Sequence, residues 1–179
     1  MKTIVRVILG LIYVFGIYYL ALPSPVYPDL SSSTLSDEPG DTWQHLDQKA
    51  FYTDKNRQEV IQELQDSFSL QFLPSYRLNY RPEETTQFVR EQVPSNYLEE
   101  IVYPLRESLF VNGWEPQNSP EWQAVPYNNR LRIEKYNQYY YAKITLRLVE
   151  SSLWARILIW SLIFPASYFV FKSLKTSIL

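Results

Sequence analysis

The chain has 179 residues, one domain's worth, and no cysteine, which excludes disulfides, thiolate metal sites and cysteine nucleophiles. Its formal net charge of −2 hides a partition: all 19 acids lie between Asp29 and Glu150, where only 12 of the 17 Lys and Arg fall, so that stretch stands at −7. Such an acidic middle is the wrong sign for a phosphate-binding surface, and nucleic acid is excluded as a partner.

The ends carry only basic charge, on Lys2, Arg6, Arg156, Lys172 and Lys175. Residues 1–3 are expected to be a cytoplasmic N-terminus, and 4–22, IVRVILGLIYVFGIYYLAL, the first transmembrane helix. At a rise of about 1.5 Å per residue this run reaches roughly 28 Å, the thickness of a bilayer core. Arg6 snorkels at the inner edge, and Tyr18 and Tyr19 fall in the outer aromatic belt. A cleaved signal peptide is the competing reading. It fits less well, because Tyr19 is too bulky for a small-x-small site before Ala21, and Pro23 and Pro25 crowd the alternatives.

Residues 23–42 hold Pro23, Pro25, Pro28 and Pro39 among serines and acids, without periodicity. They are expected to form an extended extracytoplasmic tether. Residues 43–150 are expected to fold as a small α+β extracytoplasmic domain, helices on one face of an antiparallel sheet of three to five strands.

Within that domain, Thr53-Asp54 and the stripe Val60, Ile61, Leu64 predict a helix over 55–67. Phe68, Leu70 and Phe72, then Tyr76, Leu78 and Tyr80, alternate as one strand broken near Leu73-Pro74. Pro82 opens a second helix that Pro94 ends. Asn96 caps a third, with Leu98, Ile101, Val102, Leu105 and Leu109 on one face, a kink at Pro104, Arg106 late, and a stop at Asn112-Gly113. Beyond Trp114 the period becomes two. A short strand is expected at 122–125, and two more near 131–134 and 142–148, joined by a turn at Asn137-Gln138.

Residues 153–171, LWARILIWSLIFPASYFVF, predict the second transmembrane helix, with Trp154 and Arg156 at one edge, a kink at Pro165, and Lys172 and Lys175 beyond the other. Residues 172–179 are then a cytoplasmic C-terminus. No Lys or Arg occurs from Val7 through Gln48, so the positive-inside rule puts both termini in the cytoplasm of a two-span plasma-membrane protein and residues 23–152 outside. Gly10 and Gly16, with Ser161, Ala166 and Ser167, offer a weak signal for close approach of the spans.

Motifs for chemistry are sparse. His45 is the single histidine, with no ligand spacing around it. Glu83-Glu84 and Glu99-Glu100 read as charges near helix N-termini rather than a facing catalytic pair. Gly10, Gly16, Gly40 and Gly113 build no phosphate loop, and no G-x-S-x-G occurs. No catalytic residue, cofactor or metal is therefore expected. Aromatic residues are in excess, and Tyr136, Tyr139, Tyr140 and Tyr141 with Trp114 and Trp122 form a candidate interaction surface.

The expectation is a non-enzymatic accessory or scaffold subunit of a membrane or cell-envelope complex. Its partners would be the lipid bilayer and either another protein or further copies of itself. A ligand-binding or sensing domain acting through a membrane partner is the first alternative, and a two-span channel or polymer-chain regulator the second.

Overall fold

Alternation of apolar and polar residues in Ala142–Val149 and in Ser108–Trp114 builds two long adjacent strands, and the rest of the sheet grows outward from them. The computed structural model describes residues 2–41, 47–70, 73–80, 95–118 and 132–178. The described chain divides into two compact units, a helical one of residues 1–24, 104–106 and 150–179 and a sheet one of residues 25–103 and 107–149.

In the sheet unit, β1 (Ser33–Leu35), β2 (Gln48–Thr53), β3 (Tyr76–Tyr80), β4 (Tyr97–Val102), β5 (Ser108–Trp114) and β8 (Ala142–Val149) form one antiparallel sheet in the order β1-β2-β8-β5-β4-β3. Two short strands, β6 (Ile133–Lys135) and β7 (Gln138–Tyr140), pair as a separate hairpin. Helix α2 (Arg57–Ser67) presents Val60, Ile61 and Leu64, and Phe68 follows at its end. These enter one core with Phe51, Tyr97, Ile101, Leu109, Val111, Ile144 and Leu146. By register these strand residues all lie on one face, the face opposite carrying Glu100, Phe110, Lys143 and Arg147.

Several expectations are corrected. The third helix is absent: Leu98 to Leu109 belongs to the hairpin β4–β5, turning at Pro104-Leu105, where Leu105 has φ 61°. Its apparent helical stripe arose because Glu99 occupies a core-facing strand position and hides the alternation of Tyr97, Ile101 and Tyr103. Gly113 is therefore a strand residue and not a helix stop.

Helix α2 starts from Asn56 rather than Thr53-Asp54. Asn56 accepts from the Glu59 backbone and the Glu59 carboxylate accepts from Asn56, a reciprocal cap that closes the first turn. Phe68 and Leu70 do not extend β3: Phe68 is buried at the helix end, and Leu70 forms an isolated bridge to Leu73. The hairpin turn is Tyr136-Asn137, both left-handed at φ 52° and 59°, the twist a two-residue turn needs. It joins β6 to β7, not 131–134 to 142–148.

Residues 25–41 are no free tether. Leu30 joins the core, Tyr27 donates to the Leu146 carbonyl at 2.9 Å, β1 pairs with β2, and Asp41 is buried. Proline spacing concealed this, since prolines also suit segments that cross a sheet edge without pairing along it. The helix expected at 82–94 and the strand at 122–125 lie outside the described residues, as do His45, Glu83 and Glu84.

The helical unit holds α1 (Lys2–Ala21) and α3 (Leu153–Ile178), each long and apolar enough to cross a membrane. Tyr13 bonds Ser161 at 3.0 Å and meets Phe164 edge-on, while Gly16 lies beneath the Trp160 indole, so the helices run antiparallel. Trp160 Nε1 donates to the Tyr13 carbonyl at 3.1 Å. Of the two helical glycines, Gly16 makes the close approach and Gly10 faces open space. Helix α3 continues through Pro165.

Buried Arg106 closes the C-terminus of α1. Its guanidinium donates to the carbonyl of Tyr19 in the last turn of α1 at 2.8 Å and to those of Leu22 and Pro23 just beyond it, both at 3.0 Å.

Candidate functional site

The expected aromatic surface is only partly a surface. Tyr140 is buried, its hydroxyl held by Thr34 and Gln138, both at 2.8 Å, and its ring 5.7 Å from that of Tyr52. Tyr136 donates to the Asp37 carboxylate and meets Tyr52 edge-on. Tyr141 accepts from Arg132 at 2.6 Å, with the guanidinium also over its ring. Trp114 is half-buried, Tyr139 stays exposed, and Trp122 lies outside the described residues. Strand alternation gives the reason: the hairpin lays one side of its tyrosines on β2 and the 34–37 segment, and no continuous aromatic face remains among the described residues.

Beneath the hairpin sits an ion cluster. Lys143 reaches Asp41 at 2.7 Å and Glu38 at 3.0 Å, Lys135 reaches Glu38 at 2.6 Å, and Ser36 donates to Asp41 at 2.5 Å. Hydrogen bonds from Lys135 and then Lys143 pull the Glu38 carboxyl from 4.5 down to about 2. A carboxyl depressed on folding stabilises the fold above its unfolded value and ceases to as pH falls toward its folded one. Stability should therefore drop between about pH 4.5 and about pH 2, and Glu38→Gln should flatten that part of the profile. Urea midpoints measured across this range check it. A parallel acid loss in the variant would assign the effect to other carboxylates.

A cleft of about 420 Å³ opens between the start of α2 and the segment after β5. The reciprocal cap fixes Asn56 and Glu59 on one wall, and Asp54 beside them accepts from the Tyr141 backbone at 3.1 Å. The other wall is Glu115, Gln117 and Asn118, held by a short 3-10 turn in which Asn118 N–H donates to the Glu115 carbonyl at 2.9 Å. The Asn96 side chain takes the Glu115 N–H, which anchors that wall to the start of β4.

Glu115 is 9% exposed, and its two carboxylate oxygens differ. Oε2 accepts from the Asn118 amide, whereas Oε1 is buried with no partner among the described residues. The buried Tyr97 hydroxyl likewise has no partner among them. Burial first, and then the Glu115 charge, push the Tyr97 phenol well above its ordinary value. No motif in the sequence marks these two residues: Glu115 follows Asn112-Gly113, which reads as a helix stop, and only the β4–β5 register sets Gly113 opposite Tyr97.

Glu99 and Glu100 leave β4 on opposite faces, which corrects their reading as helix-end charges. Glu99 is fully buried and takes Arg57 at 2.6 Å and Arg77 on its two oxygens; Glu100 accepts from the Tyr80 hydroxyl. Among the described residues no cluster of three or more His, Cys, Asp and Glu is arranged to hold a metal.

Of the expected interface anchors, Arg6, Tyr18, Trp154 and Lys172 are exposed. Tyr19 is half-buried and donates to the Pro104 carbonyl at 2.9 Å. Arg156 turns back from the helix surface: it is buried and donates to the Ser151 hydroxyl at 2.9 Å and the Ser151 carbonyl at 2.6 Å. The Lys175 side chain is outside the described set. No protein-family model, no curated protein and no solved structure matches this chain.

Proposed function

We propose that this is a membrane protein whose two end helices cross the plasma membrane with both termini in the cytoplasm. The sheet unit then stands on the extracytoplasmic side, as a non-catalytic accessory or scaffold module of a membrane or cell-envelope complex. One observation carries the membrane reading. The paired helices turn large apolar side chains outward all round, among them Leu11 at 65%, Phe15 at 66%, Leu162 at 56% and Phe171 at 69% exposure. Water-soluble monomers rarely expose contiguous apolar surface of this extent, and lipid is the solvent that suits it. The contacts of α1 with Trp160, Ser161 and Phe164 support retention of the first helix rather than its removal as a signal peptide. The basic ends and the absence of Lys and Arg from Val7 through Gln48 support the orientation.

The chain lacks cysteine, so an introduced one reports topology without background. Gln58→Cys in the sheet unit should react with an impermeant maleimide on intact cells. Thr3→Cys and Ser173→Cys should react only after permeabilisation. All three should remain in the carbonate-resistant membrane fraction. Labelling of Thr3→Cys or Ser173→Cys on intact cells would overturn the orientation, and release into the soluble fraction would overturn the membrane reading. For the scaffold role, a chain lacking 153–179 should lose its co-purifying partners. Retention of all of them would reduce α3 to an anchor and sink the idea.

The cleft with its unpartnered Glu115 oxygen favours a second reading, an extracytoplasmic ligand-binding domain acting through a membrane partner.

A further inference from the structure

Among the described residues, the lining of the cleft has an excess of negative charge. Asp54, Glu59 and Glu115 contribute three carboxylates, against which stands Lys55. Lys55 is already engaged, in an ion pair with Glu63 and a 2.8 Å bond to Ser31. The N-terminus of α2 would by itself draw an anion. Here the Asn56 and Glu59 side chains answer one another's backbone N–H groups, and their neighbours repel a second negative charge.

The missing element is a donor. Among the described residues, Glu115 Oε1 is a buried carboxylate oxygen without a hydrogen bond, a state that protein interiors avoid. An ammonium brings three donors and a positive charge, and so answers a buried carboxylate oxygen that lacks a hydrogen bond. A divalent metal would need more ligands than Glu115 supplies, and the described residues hold no such cluster.

We propose that this cleft binds a small primary amine, with the ammonium donating to Glu115 Oε1 and the remainder of the molecule lying between Asn56 and Asn118. A volume of about 420 Å³ suits a small molecule of this kind. The proposal rests on the reading of the cleft as a ligand site.

The full chain in nonionic detergent is titrated calorimetrically with putrescine, with butanediol as its neutral counterpart, and with succinate as an anion. Putrescine should saturate and bind at least about tenfold more tightly than butanediol, since a hydrogen bond to a charged group is the difference between them. Glu115→Gln keeps the shape, removes the charge, and should weaken putrescine roughly 10- to 100-fold. An unchanged far-ultraviolet dichroism spectrum certifies its fold. If that variant fails to fold, the comparison of amine with diol on the unaltered chain decides alone. Equal binding of putrescine and butanediol, or unchanged affinity in Glu115→Gln, overturns the proposal. Preferential binding of succinate overturns it while leaving a ligand site in place. No saturation by any of the three up to about 10 mM overturns both this proposal and the ligand-site reading.

Discussion

Glu99→Ala should destabilise the sheet unit by about 2–3 kcal/mol, one of the two largest effects expected of a single substitution here. Glu99 is fully buried on the core-facing side of β4, yet its carboxylate is answered twice. Arg57 from α2 and Arg77 from β3 both donate to it, and Arg57 continues to Asn79 at 2.8 Å while lying 4.5 Å above the Tyr97 ring. The group therefore ties the helix to the outer strand pair through one charge. Removing a single member of a buried ionic cluster typically costs about 3–5 kcal/mol, because the remaining charges are stranded. Glu99→Ala falls below that range for a structural reason: the side chains of Arg57 and Arg77 are 36% and 42% exposed, so water takes up part of their lost solvation. Glu99→Gln preserves the volume but turns an amide N–H toward a guanidinium, and should lose about 1–2 kcal/mol. Replacing Glu99, Arg57 and Arg77 together by apolar residues should cost less than Glu99→Ala alone, because no charge is then stranded. Urea unfolding of the full chain in detergent, followed by tryptophan fluorescence, ranks the three. A triple variant weaker than Glu99→Ala would show that the cluster adds net stability and does not merely fix which strands and helix meet.

Glu99 also explains what could and could not be read from the residues in order. The ends were legible, because a run of apolar residues of membrane length depends on no other part of the chain. So were the stripe of α2 and the alternation of β8, where every core-facing position is apolar. The β4–β5 hairpin was not. A carboxylate in the core and a leucine at left-handed φ beside Pro104 each break a local rule, and the first is compensated only by distant residues, Arg57 and Arg77. The 25–41 segment reads as a tether for a similar reason. Its order comes from partners far along the chain, such as Leu146 for Tyr27 and Lys143 for Asp41. The cleft depends on all of these long-range pairings at once. Its walls come from the start of α2 and the end of β5, roughly half the sheet unit apart in sequence, so no local spacing could announce it.

Gly113→Ala should cost about 1–3 kcal/mol, although replacing a glycine within a strand ordinarily gains about 0.4–1 kcal/mol by restricting the unfolded chain. The sign is decided by Tyr97. In the β4–β5 register Tyr97 stands opposite Gly113, and its ring lies across the glycine so closely that an added Cβ would fall well inside van der Waals contact with Cζ, Cε1 and the hydroxyl oxygen. The ring has little room to withdraw, because Tyr97 is buried and the Arg57 guanidinium covers it at 4.5 Å. Either the strands part or the ring leaves its rotamer, and both costs exceed the entropic gain. A double-mutant cycle isolates the contact. Tyr97→Ala alone should cost about 3 kcal/mol as a core truncation, but Gly113→Ala added to it should then be neutral or slightly favourable, a coupling of about 1–2 kcal/mol. Additive losses would mean that the glycine is needed for its backbone and not for the ring above it.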